Sequence, residues 1–145
     1  MKRRNFIKTC CYSTGGIIIG TTLFSCDTIY YASYKREAKR LVVSKKEFIS
    51  EKNEKVTQRK FVLLKEDNGE YPLCIYKVSD DVYHTSLLKC THNGCELNVG
   101  GGIYTCPCHG SEFSVKGKVL EGPADKDLKI FKTQTDNENI YILQA

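Results

Sequence analysis

Between residues 90 and 111 the chain reads CTHNGCELNVGGGIYTCPCHGS, and these 22 positions hold four of its eight cysteines and two of its three histidines. Thiols and imidazoles at such short spacing act as metal ligands or bridge formers, so this stretch must fold as loops around a centre. A tetrahedral zinc takes four ligands and leaves two of the six over. The spacing sorts them further. Cys90-x-His92 and Cys106-x-x-His109 are matching pairs, each able to offer one thiolate and one imidazole from its own loop. Gly100, Gly101 and Gly102 lie between them without the strand-to-helix context of a nucleotide loop, and read as the turn joining the two.

The rest of the body reads as strands. From residue 37 onward no helical periodicity is sustained. RLVVSKKEF (40–48), KFVLL (60–64), LCIYKV (73–78), VYHTSLL (82–88), LKIFKT (128–133) and IYILQ (140–144) are rich in β-branched and aromatic residues. EDNG (66–69), SDD (79–81) and TDNEN (135–139) are turn-formers between them. The expectation is one all-β domain with the ligand-bearing stretch inserted between strands. Cys74, among Leu73, Ile75 and Tyr76, reads as a buried small hydrophobe, and His84 as a strand surface residue.

The chain opens MKRRNFIKTCCYSTGGIIIGTTLFSC. Arg3 and Arg4 followed by Asn5, Phe6, Ile7 and Lys8 resemble a twin-arginine export signal, the address of proteins that cross a membrane already folded. Eighteen uncharged residues separate Lys8 from Asp27, and half of them are Gly, Ser or Thr, which suits a signal core better than a membrane span. Leu23, Phe24, Ser25 and Cys26 resemble a lipobox, with Phe24 in place of the usual small residue. Residues 1–26 are therefore expected to be an export signal lipidated at Cys26 or an uncleaved N-terminal helical anchor. Residues 27–36 are expected to be a tether, its Tyr30, Tyr31 and Tyr34 suited to the lipid headgroup level. Four of the 22 basic residues fall in this leader; without it 18 face 17 acidic ones, a balance that excludes phosphate-driven nucleic-acid binding. Residues 35–60 carry ten Lys or Arg against four Glu, whereas residues 61–145 carry eight against twelve acids.

CTHNGC with CPCHGS, and the later GPA at 122–124, resembles the Rieske protein family, in the branch found in quinol-oxidising cytochrome bc complexes and related small electron-transfer subunits. The ligand arrangement is matched to known Rieske centres and is not deduced from spacing. The resemblance implies a Rieske-like antiparallel β-sandwich with a cluster-binding loop insertion over 37–145. It implies a 2Fe–2S cofactor with Cys90 and Cys106 on one iron, His92 and His109 on the other, and a disulfide between Cys95 and Cys108 clasping the two loops. Ser111 is expected to donate to a bridging sulfide, Phe113 stands where relatives have a donating tyrosine, and Pro123 belongs to a loop shielding the cluster. Rieske oxygenases lack the extra cysteine pair and usually carry Trp at the position of Ser111, which disfavours that branch. His109 is the expected quinol contact, although Asn93 replaces an apolar residue of the quinol-docking surface.

The function these features imply is electron transfer at a bacterial envelope membrane, facing the periplasm or exterior, without substrate chemistry of its own. The expected partners are the membrane, a cytochrome or larger oxidoreductase subunit, and quinol. The chain is then a subunit of a menaquinol-oxidising respiratory complex or a related carrier. The alternatives are the cluster-bearing small subunit of a periplasmic oxidoreductase and, more remotely, a structural zinc lipoprotein.

Overall fold

The computed structural model describes residues 29–52 and 55–144. The leader and Cys26 lie outside the described residues. Fourteen strands form three four-stranded antiparallel sheets and a two-stranded ribbon, with no α-helix among the described residues. The outer sheet runs β1 (Lys35–Glu37), β2 (Arg40–Ser44), β14 (Asn139–Leu143), β13 (Thr133–Thr135). The central sheet runs β12 (Ile130–Phe131), β7 (Tyr83–Leu87), β6 (Leu73–Lys77), β5 (Phe61–Leu64). The loop-bearing sheet runs β11 (Val119–Glu121), β10 (Glu112–Ser114), β9 (Ile103–Thr105), β8 (Asn98–Gly100). β3 (Ile49–Lys52) and β4 (Lys55–Gln58) make the ribbon.

Apolar alternation sets the packing. Leu41 and Val43 on β2, with Ile140 and Ile142 on β14, point inward at a period of two, against Val62, Leu64, Leu73 and Ile75 of the central sheet. The other face of that sheet offers Leu63 and Cys74 to Leu88, Leu97, Tyr104, Phe113 and Leu128 of the inserted region. With both faces covered, β5 and β6 read as continuous apolar runs instead of alternating ones. The insertion is thus a third layer with its own strands, which its polar and glycine-rich sequence did not announce. Truncating a fully buried residue such as Ile75 to Ala is expected to cost about 2–5 kcal/mol.

Several expectations are corrected. The run 40–48 is not one strand: β2 stops at Ser44, whose hydroxyl accepts from the Lys46 N–H, and Lys45–Phe48 turn as a 3₁₀ helix. The run 128–133 divides at Lys132, between β12 in the central sheet and β13 in the outer one, making a corner of the sandwich. Residues 30–36, expected as tether, are laid onto the body. Leu63 donates its N–H to the Tyr30 carbonyl at 2.9 Å and accepts from Ala32 at 2.8 Å, and Ala32 enters the core. Tyr30 donates its hydroxyl to Glu47 at 2.7 Å, with the Arg59 guanidinium 3.9 Å above its ring. The physical reason is that the Leu63 backbone has no other strand on that side, and residues 30–32 supply the missing donor and acceptor.

Candidate metal centre

Two loops project from the ends of the layers, and they are built alike. The first, Cys90 to Cys95, follows β7; its Cys90 N–H donates to the Cys95 carbonyl at 2.8 Å and its Gly94 N–H to the Cys90 carbonyl at 2.8 Å. The second, Cys106 to Ser111, follows β9; Cys106 N–H donates to the Ser111 carbonyl at 2.8 Å and Gly110 N–H to the Cys106 carbonyl at 3.0 Å. Gly94 and Gly110 have φ of 75° and 76°, a left-handed conformation that a side chain resists, and each lies four residues after its cysteine. The β8–β9 hairpin between the loops turns on Gly101 and Gly102, both at positive φ, as the glycine run predicted.

The loops sort their thiols and imidazoles by depth. Cys90 and Cys106 are free thiols only 2% and 4% exposed, packed with Leu97, Tyr104 and Phe113. His92 and His109 are exposed, their rings 4.9 Å apart and edge to face. Burial pushes the Cys90 thiol up, but the N–H groups of His92 and Asn93, the Cys106 thiol and the Ser111 hydroxyl all favour its thiolate, and the net direction is down. The structure therefore places two buried thiols side by side in an environment prepared for negative charge, and two exposed imidazoles side by side.

Cys95 and Cys108 are joined by a disulfide across the two loops. Their sulfurs and that of Cys106 lie within 4.8 Å of one another, but two of the three are bonded to each other, so the group is a clasp beside a thiol and not a three-ligand site. Cys74 is buried in the central sheet with its thiol pushed up to about 12 by desolvation, the inert small hydrophobe expected. His84 is half-buried on β7, and burial together with Lys116 lowers its pKa.

A third loop closes the site. Ser111, fully buried, accepts from the Ala124 N–H at 3.1 Å through Oγ. Thr91 donates its hydroxyl to the Lys126 carbonyl at 2.6 Å. Residues 122–126 are thereby pinned to both ligand loops. Pro123 itself is exposed on this loop, and Phe113 is fully buried beside Cys90 and Cys106 in the same apolar cluster. Sequence reasoning gave no role to Thr91 or to Gly122. The GPA triplet at 122–124 carries the signal for Gly122.

A β-domain with paired loops, each bringing a buried thiol and an exposed imidazole, defines an iron–sulfur domain of mixed cysteine and histidine ligation; the donor set fits a 2Fe–2S cluster. Residues 39–132 match the Rieske [2Fe-2S] domain, and the chain belongs to that family. The cofactor is a 2Fe–2S cluster, and the zinc alternative falls. The cytochrome b6-f complex iron-sulfur subunit of Synechococcus sp. (strain JA-2-3B'a(2-13)) is 43% identical over 53 residues, 35% of this chain and 31% of the relative. The same subunit of Prochlorococcus marinus (strain MIT 9303) is 39% identical over 57 residues, 38% of this chain and 32% of its own. The match spans about a third of the length of these relatives. The cyanobacterial plasma membrane Rieske protein PetC3 from Synechocystis PCC 6803 superposes with a TM-score of 0.51 at 35% identity, over 57% of this chain and 85% of that one.

Proposed function

We propose that the chain is a membrane-associated one-electron carrier in which Cys90 and Cys106 hold one iron of the cluster and His92 and His109 the other. The observation that carries this reading is the division of the four side chains into a buried thiol pair and an exposed imidazole pair. The cluster supplies a one-electron couple whose potential is raised by replacing two thiolates with neutral imidazoles. The chain's own residues do the rest. Ser111 and the N–H groups of His92 and Asn93 stabilise negative charge at the Cys90 sulfur. Leu97, Tyr104 and Phe113 exclude water from the thiol side. Of the four side chains the two imidazoles are exposed and the two thiols buried, so the imidazoles are where an electron or a hydrogen-bonding donor meets the domain.

The similar subunits of cytochrome b6-f complexes support a cytochrome-containing partner, with quinol approaching His109. The Cys95–Cys108 disulfide supports an oxidising compartment, hence the periplasmic or outer face of a bacterial membrane. Attachment would come through residues 1–26, by a lipid on Cys26 or an uncleaved helix; among the described residues no helix is long and apolar enough to cross a membrane. Asn93, exposed and polar beside His92, favours a second reading, a small subunit passing electrons to a larger oxidoreductase without touching quinol.

Low-temperature EPR of the reduced purified chain, with iron and sulfide analysis, tests the reading. A rhombic signal of average g below 2 at two irons per chain is expected. Stoichiometric zinc without such a signal overturns it. Reduction of the oxidised cluster by menaquinol separates the quinol reading from the second one.

A further inference from the structure

Three sulfurs of the site differ in depth in an order that matters chemically. Cys106 is 4% exposed and its thiol is free. Cys95 is half-buried and packs against the apolar cluster that contains Cys106, while Cys108 is exposed. All three sulfurs lie within 4.8 Å of one another, and those of Cys95 and Cys108 are bonded. Thiol–disulfide exchange needs an attacking sulfur, a central sulfur and a leaving sulfur. Here the free thiol is on the inner side, the half-buried Cys95 is the centre it shares a cluster with, and Cys108 is the sulfur that can leave into water. Cys90, the other buried thiol of the loops, is not part of this group.

The competing bridge is close in free energy. The Cys95–Cys108 disulfide spans a sequence separation of 13, and a bridge from Cys95 to Cys106 closes a loop only two residues shorter. Closure entropy varies slowly with loop length, so it separates the two bridges by little. The thiolate that the exchange sets free is the exposed one, where water stabilises its charge. A Cys106 sulfur committed to iron cannot attack, so the exchange is open only while the loops hold no iron.

We propose that Cys106, besides holding iron, is an internal exchange site for the clasp: in the iron-free chain its sulfur attacks that of Cys95, forms a Cys95–Cys106 disulfide and expels Cys108. One S–S bond forms as one breaks, no electrons leave the chain, and the proton lost by Cys106 is regained through water by Cys108. The product has lost an iron ligand and gained a surface thiol next to His109 in the chain. A chain that meets iron late therefore takes up no cluster until the exchange runs back. The inference rests on the ligand set proposed above and adds an order of events to it, in which iron must reach Cys106 before the clasp does.

The full chain carrying its cluster is stripped of iron by a chelator in mild acid, where protonated thiols exchange slowly, and is then brought to mildly alkaline pH without oxygen or added thiol. Samples taken over time are trapped with N-ethylmaleimide, and tandem mass spectrometry locates the alkylated cysteines. Alkylation at Cys108 is expected to rise from none to at least about a quarter of the chains, since the two loops close at similar cost. The chain that keeps its cluster should show none under the same conditions. The yield of cluster on adding back iron and sulfide should fall in the same proportion. Cys90→Ser and Cys106→Ser both lose the cluster, but only Cys90→Ser should become alkylated at Cys108, which separates exchange from mere cluster loss. A stripped chain that keeps the Cys95–Cys108 bridge alone overturns the proposal. So does Cys108 alkylation in Cys106→Ser equal to that of the parent, the result expected if the stripped chain simply unfolds and scrambles. EPR before stripping keeps the two readings apart. A chain that never shows the rhombic signal refutes the proposed function, whereas a full signal followed by an unmoved clasp refutes only the exchange.

Discussion

Gly122 approaches Ser111 so closely that a Cβ on Gly122 would lie 2.5 Å from the Ser111 Cα and 2.9 Å from its nitrogen. Both are backbone atoms of the second ligand loop, so neither can swing aside. Gly122 also has φ of 98°. This contact lets Ala124 donate to Ser111 Oγ and brings the third loop down onto the site.

Gly122→Ala is expected to lift that loop by displacing backbone, with a stability loss of about 1–3 kcal/mol for the strained conformation and the lost buried hydrogen bond. Cluster bleaching in air should be faster and the reduction potential lower, because Ser111 loses its fixed orientation. Visible spectroscopy during thermal unfolding and voltammetry measure both. An unchanged potential and midpoint would mean that the third loop does not order the site.

Removing a ligand differs from removing the clasp. Cys90→Ser, His92→Ala, Cys106→Ser and His109→Ala should each leave a chain without the EPR signal. Serine at both Cys95 and Cys108 should leave a cluster that assembles in low yield and decays early. The bridge spans a sequence separation of 13, and closing a loop of that size is worth about 3 kcal/mol. A double-serine variant as durable as the parent would show that the third loop alone restrains the site.

Phe113 is fully buried in the apolar cluster that contains the Cys90 and Cys106 thiols. A hydroxyl placed there and aimed at a ligand sulfur stabilises the reduced, more negative state, so Phe113→Tyr should raise the potential by about 40 mV for a differential hydrogen bond of ~1 kcal/mol. Ser111→Ala should lower it by a similar amount, since Ser111 already favours charge at Cys90. Voltammetry at one fixed pH compares them. A Phe113→Tyr potential at or below that of the parent would mean that the ring does not point at the ligands.

Asp136 supplies a pH test far from the metal. Its carboxylate accepts from the Tyr141 hydroxyl at 2.6 Å and from the N–H groups of Asn139 and Glu138 at 2.7 and 2.8 Å, which holds its pKa down to about 2. A pKa lowered on folding contributes stability above the unfolded value of about 3.9, and that contribution is lost as pH falls through the folded one. Asp136→Ala should therefore be less stable than the parent at pH 7, with the difference closing toward pH 2. Denaturant midpoints across that range check the sign. A gap that is constant with pH would assign the loss to the turn's packing and not to its charge.

Much of this was legible in residues close together in the chain. The two ligand loops are six-residue units, and their chemistry is local: a cysteine, a histidine two or three positions later, and a glycine at the fourth step to turn the backbone. The alternating strands β2 and β14 were equally plain, because period two survives wherever one face meets a core. Cys74 was read correctly from its three apolar neighbours.

What the sequence could not hold were relationships between segments with no pattern of their own. The ribbon strands Ile49–Lys52 and Lys55–Gln58 carry mostly polar residues, so nothing in their composition distinguished a strand pair from a loop. Residues 30–36 resembled a tether because their role is to complete hydrogen bonds for Leu63, a need set by the central sheet's edge and invisible at residue 30. The strand at 128–133 splits at Lys132 because two different sheets claim its halves. The contact of Gly122 with Ser111, and the division of buried thiols from exposed imidazoles, arise only when three loops separated by tens of residues converge. Composition and spacing determined the strand content and marked the two loops as the place of a metal centre, since both depend on neighbouring side chains; tertiary structure alone decided the depth and orientation of the thiols and imidazoles, because those are properties of packed layers.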